Sequence, residues 1–270
     1  MPELPEVELA ARVFERAAIG KRIVELRLLH PALRRRAGDD CVEHVRGRTV
    51  VRVERRGKHQ LVTLDDGAVL HVHFRMSGDW VVGTRDEPEP RHARAVLELA
   101  DGTRVALVDP RALGALTLHR IGGQPLPELG MEATDPALDA AVLGRAVAGR
   151  RVAVKTALLD QRVLAGLGNI YAAEALWHAR IDPRSPAASL RPASLARLVT
   201  GIREALAAAS DDPGRYSRGE ATDRLHVYGR EGEPCHRCGA RIRRIVQSGR
   251  STYFCPRCQR LSPSPRRARP

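Results

Sequence analysis

Four cysteines near the end of the chain have the residue type and spacing for metal chemistry. Cys235 and Cys238 form one CxxC, Cys255 and Cys258 form another, and sixteen residues lie between the pairs. Two thiolate pairs at that spacing are the ligand set of a four-cysteine zinc ribbon. One structural Zn2+ is therefore expected, and a closed shell of four thiolates leaves no coordination position for catalysis. The rival reading is a pair of disulfides, which belongs to an oxidising compartment. The opening Met1-Pro2-Glu3-Leu4-Pro5-Glu6 has no basic stretch followed by an apolar run, so a reducing, cytoplasmic setting is the expectation. Cys41 stands apart from the four and is expected to be inert.

The other chemically suggestive residues lie at the start. A small residue after Met1 permits removal of that methionine, which would leave Pro2 with a free secondary amine. An α-amino group titrates near ~8, so an appreciable fraction is neutral and nucleophilic at pH 7. Such an amine attacking C1′ of a deoxynucleoside gives an iminium ion, expels the base and acidifies the neighbouring C2′ proton for strand-cleaving elimination. Glu3 and Glu6 are close enough in sequence to act as acid or base on the sugar. Taken alone, Met-Pro-Glu is far more often just a plain chain start. Lysine occurs only as Lys21, Lys58 and Lys155 in a chain with 45 basic residues. Because lysine can lose its proton and arginine cannot, those three positions are candidates for chemistry or for a placed point charge.

Two further segments could hold phosphate. Leu164-Ala165-Gly166-Leu167-Gly168-Asn169-Ile170-Tyr171 places two glycines and an asparagine before a helix expected to run to about His178. The exposed N–H groups of such a start suit an anion, while Asn169 either caps the helix or contacts a nucleic-acid strand. Between the cysteine pairs, Ile242 and Ile245 on one side and Tyr253 and Phe254 on the other flank Ser248-Gly249-Arg250. That pattern reads as a hairpin with Arg250 near its tip, either solvated or facing DNA.

These residues need elements to position them. The spacing predicts a helix over 5–19, with Pro5 in its first turn, Glu6 and Glu8 at the positive end of its dipole, and Val7, Ala10, Ala11 and Phe14 on one face. From 22 to about 120 the pattern is one of strands, at 50–53, 61–64, 69–74, 95–99 and 105–108, with hairpin turns at Asp66-Gly67 and Asp101-Gly102. A Gly- and Pro-bearing linker over 121–133 precedes a helical stretch ending near Ser210. The expected organisation is α+β with two domains: an N-terminal β-sandwich with its helix over 2–120, a helical domain over 134–228, a zinc finger over 229–260 and a disordered basic tail over 261–270.

Composition agrees with a polyanionic partner. The chain has 270 residues and a formal charge of +13, so phosphates that replace condensed counterions are favoured. Aromatic residues make up 3%, too few for a platform that stacks single-stranded bases, so a duplex is expected. No segment approaches eighteen uninterrupted apolar residues, and no membrane partner is expected.

Taken together, the pieces resemble the formamidopyrimidine-DNA glycosylase and endonuclease VIII family, over Pro2 to about Gln259. The resemblance implies a bifunctional DNA glycosylase and abasic-site lyase of base-excision repair, acting by β,δ-elimination. By the same resemblance Pro2 is the Schiff-base nucleophile, Glu3 the acid that helps open the sugar ring, and Lys58 a lysine near the lesion and its phosphate. Lys155 is implied near the damaged base. Asn169, with Tyr171 beside it, belongs to the phosphate-binding helix-two-turns-helix motif, and Arg250 to the zinc-finger clamp. His73 is implied to contact the DNA, while Met76 and Arg111 fill the hole left by the everted nucleotide. Flipping is required because the sugar carbon is inaccessible inside the stack. The sequence departs from the family at Leu113, where a phenylalanine is usual, and over 211–224, which is shorter than the usual loop over 8-oxoguanine. Leu4 matches the purine-lesion branch, where endonuclease VIII enzymes carry glycine. The implied molecule is a monomer with duplex DNA in a basic cleft between its domains, nucleoid-associated when bound. The alternatives are an endonuclease VIII-like enzyme for oxidised pyrimidines and a non-catalytic zinc protein that recognises damaged DNA.

Overall fold

The computed structural model describes residues 2–38, 40–210 and 225–261. The chain divides into two compact units, Met1–Pro127 and Glu128–Pro270. In the first, helix α1 (Leu4–Ala18) precedes two four-stranded antiparallel sheets. One sheet has the order β1-β6-β7-β5, built from Ile23–Leu28, Ala93–Leu99, Thr103–Val108 and Asp79–Thr84. The other has the order β2-β3-β4-β8, built from Val50–Arg56, His59–Leu64, Val69–His73 and Ala115–His119. Alternate residues of both sheets point into one core, where Leu26, Leu97 and Leu107 share a cluster with Val62, Leu70 and Leu116. The apolar stripe of α1 closes that core: Val7, Ala10 and Phe14 are buried, and Phe14 lies 4.8 Å from the Trp80 ring.

The stretch expected to be all strand also contains two short helices, α2 (Pro31–Ala37) and α3 (Cys41–Val45). Pro31 starts α2 and the His30 ring accepts the Ala32 N–H, a start signal that three consecutive arginines obscure. Only Leu33 and Ala37 of α2 are buried, too few to set a visible period. Helix α1 itself begins at Leu4, with Glu3 as its cap and Pro5 in the first turn.

The second unit carries α4 (Ala140–Val147), α5 (Val154–Leu158), α6 (Asn169–His178) and α7 (Pro192–Ser210). Two short parallel strands, β9 (Met131–Glu132) and β10 (Leu164–Ala165), close its start. Helices α6 and α7 pack so closely at Gly201 that a Cβ there would sit 2.5 Å from the Ala175 carbonyl oxygen. The unit ends in an antiparallel hairpin of β11 (Arg243–Gln247) and β12 (Arg250–Phe254). No helix among the described residues is long and apolar enough to cross a membrane.

Candidate active site and nucleic-acid interface

In the first unit the start of α1 is fixed by a reciprocal cap. The Glu3 carboxylate accepts the Glu6 N–H, and the Glu6 carboxylate accepts the Glu3 N–H at 2.8 Å. Glu3 is almost fully buried, so the backbone that follows half-buried Pro2 is held rigidly. Glu6, expected as a supporting acid or base, uses its carboxylate in this cap. Lys58 sits on a two-residue turn joining β2 to β3, in which Gly57 adopts φ 60°, the left-handed first position of a II′ hairpin. Arg55 ties the two features together: it donates to Glu8 of α1 at 2.6 Å and to the Gly57 carbonyl at 3.0 Å. Burial disfavours the Glu8 anion, but the hydrogen bond and charge of Arg55, then Arg12, more than offset it and hold its carboxyl below the ordinary value. Sequence reasoning missed Arg55, since one arginine among 45 basic residues carries no local signal.

Met76, Arg111 and Leu113 lie on two loops that a single buried carboxylate joins. Asp109 accepts the Arg111 N–H at 3.2 Å, the Gly114 N–H at 2.7 Å and the Ser77 hydroxyl. Arg94 donates to the Asp109 carbonyl, and Arg36 of α2 donates to the carbonyls of Leu113 and Gly114. Met76 and Leu113 are each 38% exposed on these loops, an arrangement able to push apolar groups into a base stack.

His73 belongs to an array that the sequence did not reveal. On the sheet face away from the core, His59 Nδ1 lies 2.7 Å from His71 Nε2, and Thr117 Oγ1 bridges His71 and His119 at 3.3 and 3.0 Å. The His73 ring stands edge-on to His59, and its Nδ1 accepts the Arg75 N–H. Burial first, then neighbouring positive charge, pulls His59, His71 and His73 down to about 4 each, so these three rings are neutral at pH 7. Period-two spacing puts His71 and His73 on one face, but the pairing with His59 and Thr117 depends on strand register.

In the second unit Gly168, not Asn169, is the cap of α6. Asn169 is the first helical residue, and its side chain joins a buried network. The Lys155 ammonium donates to Asn169 Oδ1 at 2.6 Å, the Ser251 carbonyl at 2.9 Å and Thr252 Oγ1 at 2.7 Å, while Asn169 Nδ2 donates to the same Ser251 carbonyl. Three donors of a buried lysine are therefore engaged, and Lys155 pins β12 to α5 and α6. Tyr171, expected at the interface, is likewise buried in the helical core. The hairpin tip has φ 48° at Ser248 and 72° at Gly249, a two-residue I′ turn, and Arg250 emerges exposed from its end.

The four zinc-ribbon cysteines converge. Their sulfurs lie within 4.8 Å of one another, with Cys238 to Cys255 at 3.5 Å and Cys235 to Cys258 at 4.0 Å. A tetrahedral zinc with bonds of about 2.3 Å places its sulfurs about 3.8 Å apart, so the set fits one Zn2+ and is too widely spaced for disulfides. Trp177 of α6 donates to the Cys235 sulfur and packs with Val227 and Ile242 on this cluster. Glu174, also missed, accepts the backbone N–H groups of His226, Val227 and Tyr228 at 2.8–3.0 Å, fixing the segment that leads into the finger. Cys41 is wholly buried, and burial followed by Asp40 raises its thiol to about 11, which leaves it inert.

The architecture is that of a two-unit, zinc-bearing DNA-repair fold, and comparison with known proteins fixes its family. The profile of the formamidopyrimidine-DNA glycosylase N-terminal domain matches residues 1–116, that of the formamidopyrimidine-DNA glycosylase H2TH domain 129–217, and that of the zinc finger found in FPG and IleRS 232–261. The formamidopyrimidine-DNA glycosylase of Cereibacter sphaeroides is 44% identical over 283 residues, covering 96% of this chain and all of the relative. That of Sphingopyxis alaskensis is 42% identical with the same coverage. A structure of MutM with DNA containing carbocyclic 8-oxo-G superposes with a TM-score of 0.88 at 32% identity, covering 96% of this chain and all of the other. Lactococcus lactis Fpg bound to abasic-site DNA gives 0.87 at 32% identity, covering 96% and 99%. The chain belongs to the formamidopyrimidine-DNA glycosylase family. The expected loop over 211–224, most of the basic tail and Met1 lie outside the described residues.

Proposed function

We propose that this protein removes oxidised purines from duplex DNA and cleaves the strand at the abasic site that results. The observation that carries this reading is the rigid start of α1, where buried Glu3 caps the helix immediately after Pro2. Once Met1 is removed, the Pro2 nitrogen attacks C1′ of the lesion nucleotide as the N-glycosidic bond breaks, and the departing base takes its electron pair and a proton. Glu3 supplies acid catalysis at the ring oxygen, which opens the sugar to an iminium ion. Loss of a C2′ proton then expels the 3′ phosphate, and a second elimination expels the 5′ phosphate. Lys58, on the Gly57 turn, neutralises phosphate charge beside the lesion.

The remaining residues hold the substrate for that step. Met76, Arg111 and Leu113 occupy the gap left by the extruded nucleotide, with Leu113 as an apolar wedge lacking an aromatic face. His73 donates to backbone phosphate as a neutral ring, and Asn169 and Arg250 grip the strand from the second unit. Lys155 acts here as a positioning residue for Asn169 and the hairpin. The zinc, when bound by its four cysteines, holds the hairpin in shape. The protein works as a monomer, in the cytoplasm and on the nucleoid.

Excision from duplexes carrying 8-oxoguanine or thymine glycol, measured side by side under single-turnover conditions, tests the lesion class. Faster excision of 8-oxoguanine is expected, and a preference for thymine glycol would assign the chain to pyrimidine lesions. The names of the curated relatives and the lesions in the matching structures, 8-oxo-G and Fapy-dG, support the purine reading.

A further inference from the structure

At the end of α6 opposite Asn169 the second unit has a concavity of about 930 Å³ lined by six arginines: Arg180, Arg191, Arg197, Arg237, Arg257 and Arg260. They come from four chain segments: Arg180 two residues after α6, Arg191 and Arg197 just before and within the start of α7, Arg237 between the first cysteine pair, and Arg257 and Arg260 within and after the second. No acidic or aromatic side chain lines the cavity, and among the described residues none of the six forms an ion pair. Arg237 is fixed, its guanidinium 3.9 Å from the Trp177 ring centroid and donating to the Trp177 carbonyl. Arg197 donates to carbonyls and to Ser194. The guanidiniums of Arg180, Arg191, Arg257 and Arg260 make no hydrogen bond among the described residues and are exposed.

Six guanidiniums line one concavity with no carboxylate among its described lining residues; set against the two zinc-ligand cysteines Cys238 and Cys258, they leave an excess of positive charge that a polyanion relieves. We propose that this cavity binds the phosphate backbone of a second nucleic-acid segment, apart from the duplex gripped at the hairpin end. Helix α6 has ten residues and is about 15 Å long, so the cavity and Asn169 address separate phosphates. The lining recognises phosphate without reading bases, because it has no aromatic face for stacking and no carboxylate for a base edge. A peptide partner would rest on apolar or aromatic anchors, and beside six arginines the described lining offers Ile181 and Leu261 with no aromatic ring. Charge drawn from four segments around a wide opening suits a run of phosphates better than a single compact anion. A second backbone contact lets the protein hold two DNA segments at once and pass between them without full release.

This inference is independent of the catalytic reading, and its test uses no turnover. Full-length, zinc-loaded protein is mixed with undamaged duplex of about 12 base pairs at about 50 mM salt, and the stoichiometry is read by sedimentation velocity. Two duplexes per chain are expected. In Arg180→Ser/Arg257→Ser/Arg260→Ser the second duplex should weaken by about tenfold or more, with the first unchanged. A control of equal charge loss, Arg16→Ser/Arg46→Ser/Arg145→Ser, should retain both. If the triple variant fails to fold, as read by its thermal transition, Arg257→Glu alone is measured in the same way. Saturation of the wild type with one duplex would overturn the proposal, as would equal loss in both triple variants.

Discussion

Glu3 carries two roles that substitution can separate. As a cap it needs only an acceptor for the Glu6 N–H, which glutamine also provides, whereas acid catalysis needs the titrating carboxyl. Glu3→Gln is expected to leave the thermal midpoint nearly unchanged while the single-turnover excision rate falls by about a hundredfold or more. Glu3→Ala should lose the rate and also about 1 kcal/mol of stability, read from chemical denaturation. An excision rate retained in Glu3→Gln would mean that the residue is only a cap. The sequence drew attention to Pro2, Glu3 and Lys58 because each is chemically unusual in its place. It gave no sign that Lys155 is buried, because packing against β12, about a hundred residues downstream, is invisible to local spacing, and it passed over Arg55, Asp109 and Glu174 because their partners lie on distant segments.

At the scale of elements, α6 and the zinc ribbon behave as one body, since Ala173 and Trp177 share a buried cluster with Cys235 and Cys255. The chain has two tryptophans, and the other, Trp80, lies buried in the first unit with its Nε1 donating to Gln60. Chelation of zinc is therefore expected to shift Trp177 emission to the red in a Trp80→Phe variant and to leave Trp80 emission unchanged in Trp177→Phe. Fluorescence spectra before and after adding chelator read this directly, and an unchanged Trp177 spectrum would mean that the ribbon does not depend on metal. The ribbon was legible because ligand spacing is a covalent constraint, and Asp-Gly turns marked two hairpins because they favour tight reversals. Helices α2 and α3 were not, since seven and five residues are too few to establish a 3.6-residue period. Capping, one of the two readings open for Asn169, falls instead to Gly168 one residue earlier, and the Asn169 side chain bonds Lys155.

For the whole molecule, the histidine face makes stability depend on pH. His59, His71 and His73 titrate near 4 in the fold and near 6.5 when unfolded, so the unfolded chain takes up more protons between those values. The stability they contribute is complete above pH 6.5 and is lost as the pH falls through 4. Thermal melts across that window should show a midpoint that drops with acid, with a shallower drop in His71→Gln, and a midpoint that rises with acid would contradict the assignment. The two-unit plan and the DNA-directed charge could be read from strand and helix patterns and from the arginine content. The arginine cavity could not, because it is assembled only when α6, α7 and both cysteine pairs fold together. The chemistry as a whole depends on the Pro2 nitrogen. Borohydride reduction of the protein mixed with abasic-site duplex, followed by mass mapping of the linked peptide, tests it most directly: the account predicts DNA attached to Pro2 of a chain lacking Met1, and it is contradicted by the absence of any adduct or by attachment to a lysine side chain.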